Sequence, residues 1–226
     1  MTISGSSLAR LKSIGIAGIA AIGLLAACGE HGFMGAPKDA APAAGAAAAT
    51  RYFFAAAGLS ENDAKLFAAA GAGDAEGVEQ AIDAGANVDA IDSLKRTPLF
   101  AAAFCNRPQV ANLLLDRGSD IGARDFNGLS PLHAAVVVGG EETVKALLAR
   151  GANIDIPSAS NRTPLHLAAA TNQPALVKLL LERGARAQLR DKHGLTAASL
   201  AAENGHAAVA AAIRKWHEKQ KTALPK

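Results

Sequence analysis

The feature that most constrains the fold of this chain is a block of 33 residues that recurs without insertion or deletion. Four-residue segments that read TPLF, SPLH, TPLH and TAAS begin at Thr97, Ser130, Thr163 and Thr196. Glycines follow with the same spacing, at Gly85, Gly118, Gly151 and Gly184. A fixed period of this length predicts one small structural unit stacked repeatedly into a solenoid.

The pattern inside each block predicts two short helices. In the second block, Pro98 opens one helix and Pro108 opens the next, at positions where a missing backbone N–H costs nothing. Val110 and Leu114 follow at helical spacing and are expected to face neighbouring blocks. Gly118 then supplies the left-handed residue that ends the second helix.

The period and the T-P-L-H signature resemble those of ankyrin repeats, over residues 59 to 220. The resemblance implies an all-α repeat solenoid of about five helix–turn–helix units, each followed by a projecting β-turn. The expected repeats are 59–91, 92–124, 125–157, 158–190 and 191–220, followed by a tail at 221–226. The family is used mostly for binding, so the resemblance also favours a binding protein over an enzyme.

The N-terminus predicts a secretory signal peptide over residues 1–27. Arg10 and Lys12 precede an uncharged apolar run at 14–27, which spans only about 21 Å as a helix and is too short for a stable membrane anchor. Its end, Leu25-Ala26-Ala27-Cys28, resembles the lipobox of bacterial lipoproteins. This resemblance implies that Cys28 is lipidated and that the protein faces the periplasm, at the outer rather than the inner membrane. Two alternatives stay open: an ordinary signal peptide with an incidental cysteine, and a cytoplasmic protein with an incidental apolar N-terminus.

After the signal peptide, the Ala-, Pro- and Gly-rich residues 28–50 are expected to form a flexible tether that starts at the lipidated cysteine. Residues 51–58 are expected to cap the first repeat. Without Arg10 and Lys12, the chain keeps twenty-one basic and twenty acidic side chains, a balance that gives no general attraction to nucleic acid.

No catalytic motif or metal-binding motif is recognisable, so we expect neither an enzyme nor a cofactor. The resemblance gives His133 and His166 a structural role, linking one repeat to the next. The aspartates at Asp92, Asp125 and Asp191 lie in turns, which favour this residue. With Cys28 acylated, no intrachain disulfide is expected.

In the resembling family, partners contact the β-turn tips and the exposed side of the first helices. Carried over to this sequence, the candidate partner-binding residues are Leu94, Lys95, Arg96, Phe104, Cys105, Phe126, Val137, Val138, Leu167, Thr171, His193 and Glu203. Among them, Phe104, Cys105, Val137 and Val138 are expected to form an exposed apolar patch that binds protein. The alternative is that the segment at residues 51–59 covers this patch.

The sequence therefore predicts a monomeric, non-catalytic binding module, held at the bacterial envelope by lipidated Cys28 and binding an unidentified periplasmic protein. Two alternatives remain: a structural envelope lipoprotein without a specific partner, and an immunity-type protein that neutralises a toxin. A metal-binding or enzymatic role is less favoured.

Overall fold

The computed structural model describes residues 59–223. The predicted signal peptide at 1–27, the tether at 28–50 and the cap at 51–58 lie outside the described residues. Within residues 59–223 the chain forms ten helices, two in each expected repeat. They are α1 Glu61–Ala72, α2 Ala75–Asp83, α3 Pro98–Phe104, α4 Pro108–Asp116, α5 Pro131–Val138, α6 Glu141–Ala149, α7 Pro164–Ala170, α8 Pro174–Glu182, α9 Ala197–Glu203 and α10 Ala207–Ala223.

The helices stack in two rows. The first helix of each repeat packs against the first helices of its neighbours, in the order α1, α3, α5, α7 and α9. The second helices form the other row, in which α2 packs on α4, α4 on α6, and α8 on α10. One continuous core runs between the rows from Leu66 to Ile213. The predicted all-α repeat solenoid is confirmed; β structure in the described residues is an isolated bridge between Arg190 and Thr196.

The first helices begin where the repeated signature predicts. Thr97 is extended, and its hydroxyl accepts the backbone N–H of Phe100 at 3.2 Å, so it caps α3 while Pro98 occupies the first turn. The last repeat lacks this proline but keeps the cap, because the hydroxyl of Thr196 accepts the N–H of Ser199 at 3.2 Å. The departure from the signature at the C-terminal end therefore leaves the start of α9 intact.

Alanine fills most of the space between the first helices. The small side chains in this row are buried, and they include Ala101, Ala102, Ala103, Ala134, Ala135, Ala168, Ala169 and Ala201. They leave little bulk between helices, so successive repeats approach closely. In the second helices, Val110 and Leu114 are buried as predicted, and so are Leu176 and Leu180 of the fourth repeat. Trp216 of α10 is half-buried against the core. No helix among the described residues has the length and apolar character needed to cross a membrane.

Candidate binding surface

Four tight turns project from the junctions between repeats. We call them together the finger edge, which comprises residues 91–96, 124–129, 157–162 and 190–195. Each turn closes with two backbone hydrogen bonds; in the first, Lys95 N donates to Asp92 O and Asp92 N donates to Arg96 O. The fourth turn repeats this arrangement, with Gly194 N donating to Asp191 O.

The side chain at the second position of each turn accepts hydrogen bonds from backbone N–H groups of the same turn. One carboxylate oxygen of Asp92 accepts the N–H groups of Leu94 and Arg96, both at 2.9 Å. Asp125 and Asp191 accept two backbone N–H groups in the same way, and the hydroxyl of Ser158 does so in the third turn. The sequence-based interpretation of these aspartates as turn residues is supported by these bonds.

Burial changes the titration of one of these carboxyl groups. Removal from water raises the pKa of Asp125, although the N–H groups of Leu129 and Asn127 and the charge of Arg96 act in the opposite direction. Asp92 is instead paired with the side chain of Arg96, whose Nε lies 2.7 Å from the carboxylate. Asp191 is paired across the repeat boundary with Arg162, whose Nε lies 3.2 Å from its carboxylate.

Neighbouring turns are joined edge to edge. The N–H of Phe126 donates to the carbonyl of Leu94 at 2.9 Å, and the N–H of Ala159 donates to the carbonyl of Asn127 at 2.9 Å. The N–H of Lys192 continues the series by donating to the carbonyl of Ser160 at 3.0 Å. Equivalent positions of the four turns therefore lie in rows, and the finger edge is one ordered surface.

The finger edge carries the two large apolar side chains that are exposed in the described part of the chain. Phe126 is 74% exposed and Ile91 is 56% exposed. Both lie on adjacent turns, next to exposed Lys95 and Arg124. Exposed apolar side chains beside charged ones are characteristic of protein-binding surfaces.

The predicted apolar patch on the first helices is not exposed. Phe104 is only 8% exposed and Cys105 only 2%, and both belong to the core, so the expectation of an open patch at these residues is wrong. Val137 and Val138 are half-buried and pack against the same core. The physical reason is that α3 packs directly against α1 and α5, with small alanine side chains between the helices, so little solvent reaches the end of α3.

The other candidate residues divide by exposure. Lys95, Phe126, His193 and Glu203 are exposed, and Leu94 is half-buried. Leu167 and Thr171 are buried in and beside α7, where the hydroxyl of Thr171 donates to the carbonyl of Leu167 at 2.7 Å. Arg96 is only 4% exposed, so the expectation that its side chain is open to a partner is also wrong.

Ile91 was not among the residues that the sequence singled out. It precedes the turn aspartate, at the position held by Arg124, Pro157 and Arg190 in the other turns. An isoleucine at a position otherwise occupied by arginine or proline indicates an outward-facing site, because these residue types are mostly exposed in folded proteins. The difference between Ile91 and the residues at the equivalent position of the other turns is a signal in the sequence that could have identified it.

His133 and His166 connect repeats, as the resemblance implied. In His133, Nδ1 accepts the backbone N–H of Ser130 at 3.1 Å, so Nε2 carries the proton and donates to the carbonyl of Arg162 at 3.0 Å. His166 makes the equivalent bonds to Thr163 and to the carbonyl of Leu195. Burial lowers the pKa of His133 to about 4 and also lowers the pKa of His166.

A second set of bonds crosses the repeat boundaries at the start of the second helices. Arg107 donates to the carbonyl of Gly71, Gln173 to the carbonyl of Val136, and His206 to the carbonyl of Ala170, at 3.2, 2.8 and 3.2 Å. The third repeat has Gly140 at the equivalent position and lacks a side chain for this bond. There the hydroxyl of Thr143 donates instead to the side chain of Asn106 at 2.8 Å.

Cys105 lies in the core of the stack, where its side chain is 2% exposed. The expectation that no intrachain disulfide forms depends on Cys28, which lies outside the described residues, so it stays a prediction. Within residues 59–223, no group of three or more His, Cys, Asp or Glu side chains is arranged to hold a metal ion.

Comparison with known families gives a specific match. The family model described as "Ankyrin repeats" matches three times, over residues 47–125, 66–158 and 132–223, which together span most of the chain. This chain belongs to the ankyrin-repeat family. A search of curated proteins gives no significant match.

Membership of the family agrees with the geometry. Ankyrin repeats are generic protein–protein interaction modules, and proteins built from them are typically non-catalytic. In this ankyrin-repeat protein, His133 and His166 link neighbouring repeats, and the turn aspartates accept hydrogen bonds that close their own turns. Within the described residues, the finger edge is the surface on which large apolar side chains are exposed.

Proposed function

We propose that this ankyrin-repeat protein is a non-catalytic binding module that uses its finger edge to hold a protein partner in the bacterial periplasm. The single observation that carries the proposal is the exposure of Phe126 and Ile91 on adjacent turns, while the other large apolar side chains of the described residues are buried or half-buried. Aromatic side chains on an ordered surface are frequent anchors of protein interfaces.

A lipid anchor at Cys28 is the second part of the proposal. It rests on the sequence alone: the basic residues Arg10 and Lys12, the short apolar run and the lipobox-like Leu25-Ala26-Ala27-Cys28. Several acyl chains on one residue hold a protein firmly at a membrane, which raises the local concentration of the repeats toward other envelope proteins. We propose the outer membrane as the site of attachment.

Lipidation of Cys28 excludes a disulfide between Cys28 and Cys105, the two cysteines of the sequence, because a sulfur held in a lipid thioether has no capacity for a disulfide. The lipidated protein and a disulfide-bonded protein are therefore two distinct forms. Mass spectrometry of the protein purified from membranes distinguishes the two forms, because lipidation adds the mass of the acyl groups to a peptide beginning at Cys28.

The binding role is tested by chemical crosslinking in intact cells, followed by mass spectrometry of the captured proteins. The informative variant is Ile91→Ser/Phe126→Ser, because both side chains are exposed and their loss leaves the core intact. The matched control is Ala211→Ser/Ala212→Ser, which changes two exposed residues of α10. We expect one or two periplasmic proteins to be lost from the Ile91/Phe126 variant and retained by the control. Retention of every captured protein by both variants would contradict the proposal and favour a structural lipoprotein.

A further inference from the structure

The charges of the finger edge are sorted so that negative charge lies inside and positive charge outside. The edge contains three carboxylates, and two of them, Asp92 and Asp191, are buried. Both accept hydrogen bonds from backbone N–H groups, and each is paired with an arginine, Arg96 in one case and Arg162 in the other. These ion pairs contribute no net charge to the surface.

The remaining basic side chains of the finger edge point to solvent. Lys95, Arg124, Arg190 and Lys192 are all exposed. Arg190 donates to the carbonyl of Gly194, an interaction that leaves its positive charge uncompensated. The remaining carboxylate, Asp125, is half-buried and accepts two backbone N–H groups. The edge is therefore a positive surface on a chain whose total charge is close to balanced.

The positive charges and the apolar side chains are distributed unevenly along the edge. The first two turns carry Ile91 and Phe126 together with Lys95 and Arg124, whereas the fourth carries Arg190 and Lys192. Backbone hydrogen bonds between neighbouring turns keep these positions in register. A partner lying along the edge therefore meets apolar side chains flanked by positive charge on the first two turns, and positive charge without a large exposed apolar side chain on the fourth.

We infer that the partner presents an acidic segment that carries at least one large apolar side chain. The apolar side chain would pack on Phe126 and Ile91, and the carboxylates would face Arg124, Arg190 and Lys192. Charges at the rim of an interface act mainly on the association rate and on specificity, whereas buried apolar contacts supply most of the affinity. This inference rests on the proposed binding function and adds the chemistry of the partner.

The test is selection of peptides from a random twelve-residue display library on the full-length protein. Enriched peptides are then measured against three proteins: the unchanged chain, the variant Arg124→Glu/Lys192→Glu, and the control Arg214→Glu/Lys215→Glu. The control makes the same change in net charge on exposed residues of α10, away from the finger edge. Vesicles of phosphatidylglycerol serve as a second probe, because a cationic surface with exposed apolar residues also suits an anionic membrane.

The inference predicts enriched peptides rich in Asp and Glu with a Leu, Ile or aromatic residue. Their affinity should fall about tenfold in the Arg124/Lys192 variant, stay within about twofold in the control, and weaken as salt is raised. If the selected peptides are neutral or basic, and the Phe126→Ala variant of the protein no longer binds them, the inference of an acidic partner is overturned. The proposed binding function would still stand. Binding to the vesicles that depends on Arg124 and Lys192, without acidic peptides, would assign the edge to a membrane surface instead. Absence of any enriched peptide would contradict the binding function itself.

Discussion

The Nε2–H of His133 donates a hydrogen bond to the carbonyl oxygen of Arg162 at 3.0 Å, across 29 positions of sequence and one repeat boundary. The same ring accepts the N–H of Ser130 through Nδ1, so both nitrogens are satisfied only in the neutral form. Protonation would replace the acceptor at Nδ1 with a second donor. This residue therefore couples the protonation state of one buried ring to the contact between two repeats.

Stability is expected to fall as the pH drops from 7 to 5. Burial lowers the pKa of His133 to about 4, whereas the unfolded chain takes up the proton near its ordinary pKa of 6.5. Over this window the unfolded state binds more protons than the folded state, so acid favours unfolding. His133 alone accounts for a loss of about 2 kcal/mol between pH 7 and pH 5, and His166 acts in the same direction.

Urea unfolding at the two pH values, followed by circular dichroism, measures this loss. The comparison variant is His133→Gln, which has no group that titrates in the window. It should be less stable at pH 7 but lose less stability on acidification than the unchanged chain. An equal loss in both proteins would show that the pH dependence arises elsewhere.

The turn at Lys95 is expected to gain stability from glycine. Lys95 has a φ of 58°, in the left-handed region, whereas the equivalent residue of the second turn is Gly128 with a φ of 71°. Lys95→Gly removes the strain of a side chain in this conformation and should raise the free energy of unfolding by roughly 0.5 kcal/mol.

The opposite substitution at the equivalent position supplies the control. A Cβ at Gly128 would lie 2.6 Å from the backbone nitrogen of Ala159, in the neighbouring turn. Gly128→Ala should therefore lower the free energy of unfolding by about 2 kcal/mol. Thermal unfolding of the two variants tests the pair, and a gain in stability at both positions would contradict it.

Truncation of Phe126 should affect mainly binding, whereas truncation of Phe104 should affect mainly stability. Phe126→Ala removes an exposed ring and should change the free energy of unfolding by less than about 0.5 kcal/mol. It should also lower the affinity for the partner about tenfold or more. Phe104→Ala removes a core ring and should lower the free energy of unfolding by about 3 kcal/mol. Urea unfolding of both variants separates stability from binding. Similar destabilisation by the two changes would mean that Phe126 is covered in solution.

The sequence predicts the architecture well because the repeat period, the helix-starting prolines and the glycines after the second helices are local signals. It predicts the role of His133 because the signature places that ring at the start of a first helix. It does not predict the burial of Phe104 and Cys105, since the equivalent positions of other first helices range from Val137 and Val138 to Glu203 and Asn204, a mixture that does not indicate a core position. Their burial depends on how closely α3 and its neighbours approach, which is a property of the stacked array.

The exposed residues of the finger edge illustrate the same limit. Phe126 was expected to contact a partner because it lies at a turn tip, and the structure leaves it open to solvent. Arg96 is the last residue of the neighbouring turn, yet it pairs with Asp92 and is buried. An arginine that pairs with a carboxylate of the turn is held inward, and one without such a pair faces solvent. The spacing of residues in the sequence does not show which arginines form these pairs.

The most direct test of the binding role is site-specific photo-crosslinking in living cells. A photoreactive benzoylphenylalanine is placed at position 126 of the finger edge and, as a control, at position 178, an exposed site on α8. We predict a discrete adduct with a periplasmic protein from position 126, lost when Arg124 and Lys192 are changed to Glu, and no such adduct from position 178. Equal or absent adducts at the two positions would contradict the assignment of the finger edge as the binding surface.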